Sequence, residues 1–218
     1  MQALFLFIIM IFVYPVIFFS SLHLFKSTYD LKYTLFQIWA RFMLKRAKAK
    51  IECERCDLIP LENDYVFIAN HVNSFDTYVL AQALPVRTHF IFDKSARVPY
   101  LKVYLKRLKS LFVDYSNVDF KDYLSQLEDD LNESSMTVFN ASLKQTPLPL
   151  SFYELAKNQK WTLICVTLKN SKNLLRIGKY HTVKAEISVP LYFEEYESLS
   201  CEAIQKQINE RLIETSKV

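Results

Sequence analysis

A chain of 218 residues with a single glycine, Gly178, has few ways to turn. Glycine normally makes up about 7% of a protein and supplies the left-handed backbone that turns and helix ends often need. Here turns must rely on Asn, Asp, Ser and Pro. The same scarcity excludes any phosphate-binding loop built on clustered glycines.

From residue 51 onward, short apolar runs alternate with amphipathic stretches. "YVFIA" (65–69), "HFIFD" (89–93), "SLFVD" (110–114), "MTVF" (136–139), "WTLICVTL" (161–168) and "TVKAEIS" (182–188) read as strands. "SFDTYVLAQAL", "VPYLKVYLKRLK", "DFKDYLSQLEDDL" and "SFYELAKNQ" between them read as helices. A last helix, about 200–215, carries Ile204, Ile208, Leu212 and Ile213 on one side for packing over the sheet. This alternation predicts an α/β domain over 51–218 with a largely parallel central sheet flanked by helices. No internal repeat or low-complexity linker divides it.

Residues 1–50 read differently, as an N-terminal membrane anchor. "ALFLFIIMIFVYPVIFFSSLHLF" (3–25) contains no charge and approaches the roughly 20 apolar residues that cross a bilayer as a helix, with Pro15 as a kink point. A cleaved secretory signal fits less well, because no basic residue precedes the run and no small-x-small site closes it. Lys26, Lys32, Arg41, Lys45, Arg46, Lys48 and Lys50 follow the span, which places the globular domain on the cytoplasmic face of the membrane. In residues 30–50, Leu31, Leu35, Ile38, Trp39, Phe42 and Met43 recur at helical spacing behind a capping Asp30 and before a basic end. This is the pattern of a helix lying at the membrane interface.

A net charge of +4 is too modest to indicate nucleic acid, and no nucleic-acid motif accompanies it. An anionic membrane surface suits it better. "CERC" (53–56) has the spacing of a metal or redox pair, yet Cys165 and Cys201 stand alone without a second pair or a nearby histidine. No metal or other cofactor is expected, and the cysteines read as buried thiols in a reducing compartment.

The chemistry concentrates in "FIANHVNSFDTYVL" (67–80). In open α/β sheets functional groups gather where strands end and turn into helices, and His71 stands just past such a strand. Asn73 or Ser74 suits the helix cap, Asp76 its first turn and Pro85 its end. On one continuous helix, side chains five apart would point about 140° away from each other, so contact requires His71 to lie in the loop before the helix. A carboxylate beside an imidazole fixes its tautomer and raises the basicity of the other nitrogen, making a general base for an alcohol.

The run "IANHVNSFDTYVLAQAL" followed by "FDKSARVPYLKVYLKRLKSLFVDYSN" resembles the glycerophospholipid acyltransferase family, typified by lysophosphatidate acyltransferases, whose first motif is Asn-His-x-x-x-x-Asp after a strand. The resemblance runs from about 51 to 190, and the N-terminal pair of membrane helices is similar. It implies His71 as general base, Asp76 as its orienting group, and Asn70 at the substrate site. It further implies direct attack of an acceptor hydroxyl on an acyl thioester. The donor would be acyl-CoA or an acyl carrier protein thioester, as co-substrate, and the acceptor a lysophospholipid in the membrane.

The remaining motifs depart from the family pattern. In "KSLFVDYSN" (109–117), Asp114 and Tyr115 stand where an arginine that holds the acceptor phosphate is expected. Lys94 and Arg97 are candidate replacements, while Lys102, Lys106 and Lys109 fit a solvated helix face. In "VFNASLKQTPLPL" (138–150) the family's Phe-Pro-Glu-Gly-Thr-Arg retains Phe139, and Lys144 keeps the charge of its arginine. Two other readings stay open at this point. One is a non-catalytic relative that binds lipid or a partner enzyme at the membrane. The other is a serine hydrolase using Ser74 or Ser142 with His71, although neither serine sits in a Gly-x-Ser-x-Gly elbow.

Overall fold

The strand Tyr65–His71 (β2) has neighbours on both edges and is buried on both faces from Tyr65 to Ala69, so its sequence is a continuous apolar run. Tyr65, Phe67 and Ala69 enter one hydrophobic cluster, and Val66 and Ile68 the other. The structure is a computed structural model that describes residues 29–60, 65–71, 75–94, 102–115, 135–141, 148–171 and 180–217.

Around β2 stand β1 (Ala49–Glu54), β3 (Thr88–Asp93), β4 (Leu111–Val113), β5 (Ser135–Ala141), β6 (Thr162–Lys169) and β7 (His181–Ile187), in the order β1-β7-β6-β2-β5-β3-β4. The pairs β2–β5, β2–β6, β3–β5 and β3–β4 are parallel. Because β7 is antiparallel to β6 and β1 is parallel to β7, these two strands run against the other five. The expected α/β class with a largely parallel sheet is therefore the one observed.

Helices cover both faces. α1 (Tyr29–Arg46), α2 (Asp76–Ala83) and α3 (Lys102–Arg107) join the first cluster; α4 (Leu150–Asn158), the short α5 (Phe193–Tyr196) and α6 (Cys201–Lys217) join the second. Ile204, Ile208 and Leu212 of α6 are buried over the sheet as expected, with Ile213 half-buried.

All six strands expected from the sequence are present. β1 is additional. Its Ala49, Ile51 and Cys53 pack against the first cluster, and its opposite face carries Lys50, Glu52 and Glu54. This is the period-2 pattern of a half-solvated strand, masked in the sequence by the basic helix end before it and by the paired cysteines. On the solvated face Lys50 pairs with Glu52 at 2.8 Å and Lys184 with Glu54, and in the neighbouring strands the largely buried Lys169 and Glu186 pair at 2.6 Å. The uncharged run 3–25 and the expected helix at 119–131 lie outside the described residues. Among the described residues no helix is long and apolar enough to cross a membrane.

α1 corrects the sequence reading of its own helix. Its buried residues are Tyr33, Phe36, Ala40, Met43 and Leu44, a stripe at spacings of three and four. Of those expected at an interface only Met43 is buried; Leu35, Trp39 and Phe42 are partly covered, and Leu31 and Ile38 are 47% and 59% exposed. Two apolar faces share this helix, and helical spacing alone does not tell which one packs on the domain.

Lysine takes over the work of the missing glycines. Lys48, Lys109 and Lys160 adopt left-handed φ of 52°, 53° and 54° just beyond α1, α3 and α4. After Lys109 and Lys160 the next amide reaches back five residues, Ser110 N–H to the Leu105 carbonyl (2.8 Å) and Trp161 N–H to that of Ala156 (3.0 Å). This is the helix-ending motif that glycine usually serves. A side chain at such a position costs about 1 kcal/mol in backbone strain, partly offset by the favourable placement of a cation at a helix C-terminus.

Cys53 and Cys56 are joined as a disulfide across the turn from β1 into a 3-10 segment, which corrects the expectation of free thiols at "CERC". Cys165 is buried and Cys201 half-buried, both free, and no group of metal-ligating side chains is present among the described residues. Burial pushes the Cys165 thiol up to about 12, so it is both inaccessible and protonated at neutral pH.

Two measurements follow from these features. Lys160→Gly should raise unfolding free energy by about 0.5–1 kcal/mol in urea denaturation, the loss of a 5.8 Å contact between Lys160 and the Phe193 ring setting the lower end; destabilisation would remove the strain account. A thiol reagent should label Cys201 alone in the native protein, Cys165 also after unreduced denaturation, and all four cysteines after reduction. Labelling of Cys53 and Cys56 without reductant would remove the disulfide.

Candidate active site

Five parallel strands present their carboxyl ends to one end of the sheet. There β2 finishes at His71, β5 at Ala141, β3 at Asp93 and β4 at Val113. His71 lies in register with Ala141 and Asn70 with Asn140. This is the location that ligands favour in open α/β sheets.

Asn70 has a definite structural task. Its Oδ1 accepts the backbone N–H of Leu168 at 2.8 Å, joining strand ends 98 residues apart in sequence. The bond holds the end of β2 to β6. His71 follows directly, so its backbone inherits that position; its side chain lies outside the described residues.

Asp76 is the first residue of α2 and fully buried. The residue at the cap position is Phe75, which makes no side-chain cap, whereas the sequence pointed to Asn73 or Ser74; both lie outside the described residues. The first turn of a helix favours a carboxylate through its unsatisfied N–H groups. Phe75 and Tyr78 pack edge to face at 5.8 Å, and Phe36 of α1 lies 5.7 Å from Tyr78.

α2 is held in turn by α1. Gln37 Nε2 donates to the Ala81 carbonyl at 3.0 Å, and Gln82 Nε2 donates to the Gln37 carbonyl at 2.8 Å. Neither glutamine was singled out in the sequence, where each reads as a polar residue on a helix. Only their reciprocal placement, 45 residues apart, makes them a lock.

On the other side of His71, Asp93 ends "HFIFD" as His71 ends its own strand, with no sequence motif to mark it. It is buried, and its Oδ2 accepts the Tyr115 backbone N–H at 3.1 Å. Tyr115 is buried too, its hydroxyl donating to the Ile91 carbonyl at 3.3 Å, and burial, reinforced by the nearby Asp93 charge, pushes that hydroxyl well above its ordinary range. Thus of the two residues standing where an arginine was expected, Tyr115 turns into the core and Asp114 faces solvent.

Lys94 is exposed immediately after β3, with its backbone N–H on the Val113 carbonyl at 2.6 Å. Phe139 lies in β5 opposite Ala69, its side chain outside the described residues, and Arg97, Ser142 and Lys144 are outside them altogether. Of the solvated lysines, Lys102 lies over the Phe112 ring at 4.9 Å, and Lys106 and Lys109 are exposed.

The Asn70 bridge can be tested by itself. Asn70→Ala removes the acceptor for a half-buried amide and should cost about 1–3 kcal/mol of stability, while Asn70→Asp, which keeps an acceptor, should lose markedly less. Equal losses in denaturant titrations would argue against the bridge.

A family model described as Acyltransferase matches residues 50–140, from β1 to the end of β5. Among solved structures the chain is similar to the 1-acyl-sn-glycerophosphate (LPA) acyltransferase PlsC from Thermotoga maritima. The TM-score is 0.68 at 16% sequence identity, over 97% of this chain and 91% of that one. No curated protein sequence matches. With Asn70, His71 and Asp76 all inside the matched segment, the chain carries a stretch that matches the acyltransferase family model and, over nearly its whole length, shares the fold of that Thermotoga maritima enzyme.

Proposed function

We propose that the protein is a membrane-bound O-acyltransferase that moves a fatty acyl group from an acyl thioester to the hydroxyl of a lysophospholipid, lysophosphatidate or a near relative, as a step in phospholipid biosynthesis. The observation that carries this reading is the strand-end placement of His71 with a fully buried Asp76 opening the following helix. In the reaction, His71 takes the proton of the acceptor hydroxyl as its oxygen attacks the thioester carbonyl. The carbon–sulfur bond then breaks, and the departing thiolate receives the proton from the imidazolium. A buried carboxylate at Asp76 would orient the ring and stabilise its charged form.

The membrane part of the proposal draws on α1. Its outward face exposes Leu31 and Ile38 and ends in Arg41, Lys45 and Arg46, as suits a helix seated among lipid headgroups. The uncharged run 3–25 would deepen that anchoring, with the domain on the cytoplasmic side. The donor would be acyl-CoA or an acyl carrier protein thioester.

One observation favours a second reading, a non-catalytic relative that binds lipid or a partner enzyme. It is the inward turn of Tyr115, which leaves the expected arginine position without a cation. A single experiment separates the two. Detergent-solubilised full-length protein, given acyl thioesters and a panel of lysophospholipids, should release thiol; His71→Ala should reduce the rate by about 10²–10⁴-fold and Asp76→Asn by less. Release that persists in His71→Ala, or none in the wild type, would sink the catalytic reading.

A further inference from the structure

α1 runs into β1 through Ala47 and Lys48, and beside this junction lies an open pocket of about 440 Å³ lined by Arg41, Lys45, Lys48, Lys50, Gln82 and Tyr180. It belongs to neither the His71–Asp76 pair nor the altered motifs. Yet it faces the same end of the sheet. β1 runs opposite to β2, so its first residue, Ala49, lies at the end where β2 stops, in register with His181 of β7.

The separation follows from strand geometry. From β2 to β1 are three strand spacings, on the order of 14 Å. The ladders β2–β6 and β6–β7 put His71 about level with Ala185, four residues short of His181, a further 13 Å or so along the strands. The pocket is thus on the order of 20 Å from the end of β2.

Its lining joins cationic and aromatic groups to the apolar Leu44, Ala49 and Ile51. Four basic residues line it, against which Glu52 supplies one carboxylate, paired with Lys50 at 2.8 Å. Arg41 Nε donates to Gln82 Oε1 at 3.2 Å, which fixes one edge of the guanidinium. Lys48 is held by its left-handed backbone and by the His181 N–H, which donates to its carbonyl at 3.0 Å; its ammonium lies 5.3 Å from the centre of the Tyr180 ring. Tyr180 is 87% exposed, which leaves its ring accessible from the pocket. A concave site of this volume fits a small ligand, and converging lysine and arginine side chains suit phosphate oxygens.

We infer that this pocket is a second, non-catalytic site that binds a phosphate-bearing group. Two sources share that chemistry: the nucleotide phosphates of a coenzyme A donor, whose long pantetheine arm suits a gap of this size, and the headgroup of an anionic lipid beside α1. The donor source rests on the acyltransferase reading; the site itself does not.

Binding of adenosine 3′,5′-bisphosphate, by calorimetry on the full-length protein in detergent, tests the first source. Cosedimentation with phosphatidylglycerol vesicles, against phosphatidylcholine vesicles, tests the second. In either assay the double variant Lys45→Gln with Lys48→Gln should bind at least about tenfold more weakly, while Lys206→Gln, the loss of one charge on the exposed side of α6, should bind as the wild type does. Loss in the nucleotide assay assigns the site to the donor, and loss in the vesicle assay assigns it to the lipid. If neither assay responds to the double variant, or Lys206→Gln weakens binding as much, the site is overturned. Neither readout uses turnover. A failed pocket therefore leaves the His71 chemistry standing, and a failed His71 assay leaves the pocket.

Discussion

Burial of β2 on both faces, together with hydrogen bonding on both of its edges, is the constraint from which the rest of the molecule follows. A strand in that position cannot slide by one residue without exchanging its two sets of side chains, because Tyr65, Phe67 and Ala69 belong to one cluster and Val66 and Ile68 to the other. Its end is therefore a fixed point. Asn70 ties that point to β6, and whatever follows, His71 first, starts from a position set by the whole sheet.

α1 links this interior to whatever lies outside. One face packs under α2 through Phe36 and Tyr78 and through the two glutamine bonds, so it supports the turn in which Asp76 opens its helix. The other face exposes Leu31 and Ile38. A helix used on both sides joins the candidate site mechanically to any surface it rests on. No hinge of glycine stands between the two, since the chain leaves α1 through Lys48 and enters β1 at the next residue.

Most of the fold was legible because buried parallel strands write themselves as apolar runs. The placement of His71 at a strand end and of Asp76 in the first turn of the next helix was legible because that pattern is short and local. What stayed hidden was relational. β1 alternates as a strand should, but Lys50 and the cysteine pair drew its two ends into other patterns. Gln37, Gln82 and Asp93 are ordinary polar residues until the fold brings a distant partner to each. The disulfide was misread for a physical reason: spacing alone does not reveal that Arg55 takes a left-handed conformation and folds Cys56 back towards Cys53. The missing arginine was visible, but not that Tyr115 fills the core behind the gap.

The pairing of β1 with β7 also has a consequence in time. Among the described strands β1 has β7 as its sole neighbour in the sheet, and their cross-strand ion pair joins Glu54 to Lys184, 130 residues later. At about 5–20 residues per second, a ribosome needs roughly 7 to 26 seconds to make that stretch. Throughout it, the strand nearest the start of the described chain has nothing to hydrogen-bond with on the edge it will finally share. The sheet is closed by one of its last strands to be synthesised, and the wall of the basic pocket, contributed by Lys48 on one side and Tyr180 on the other, exists only once that closure is made.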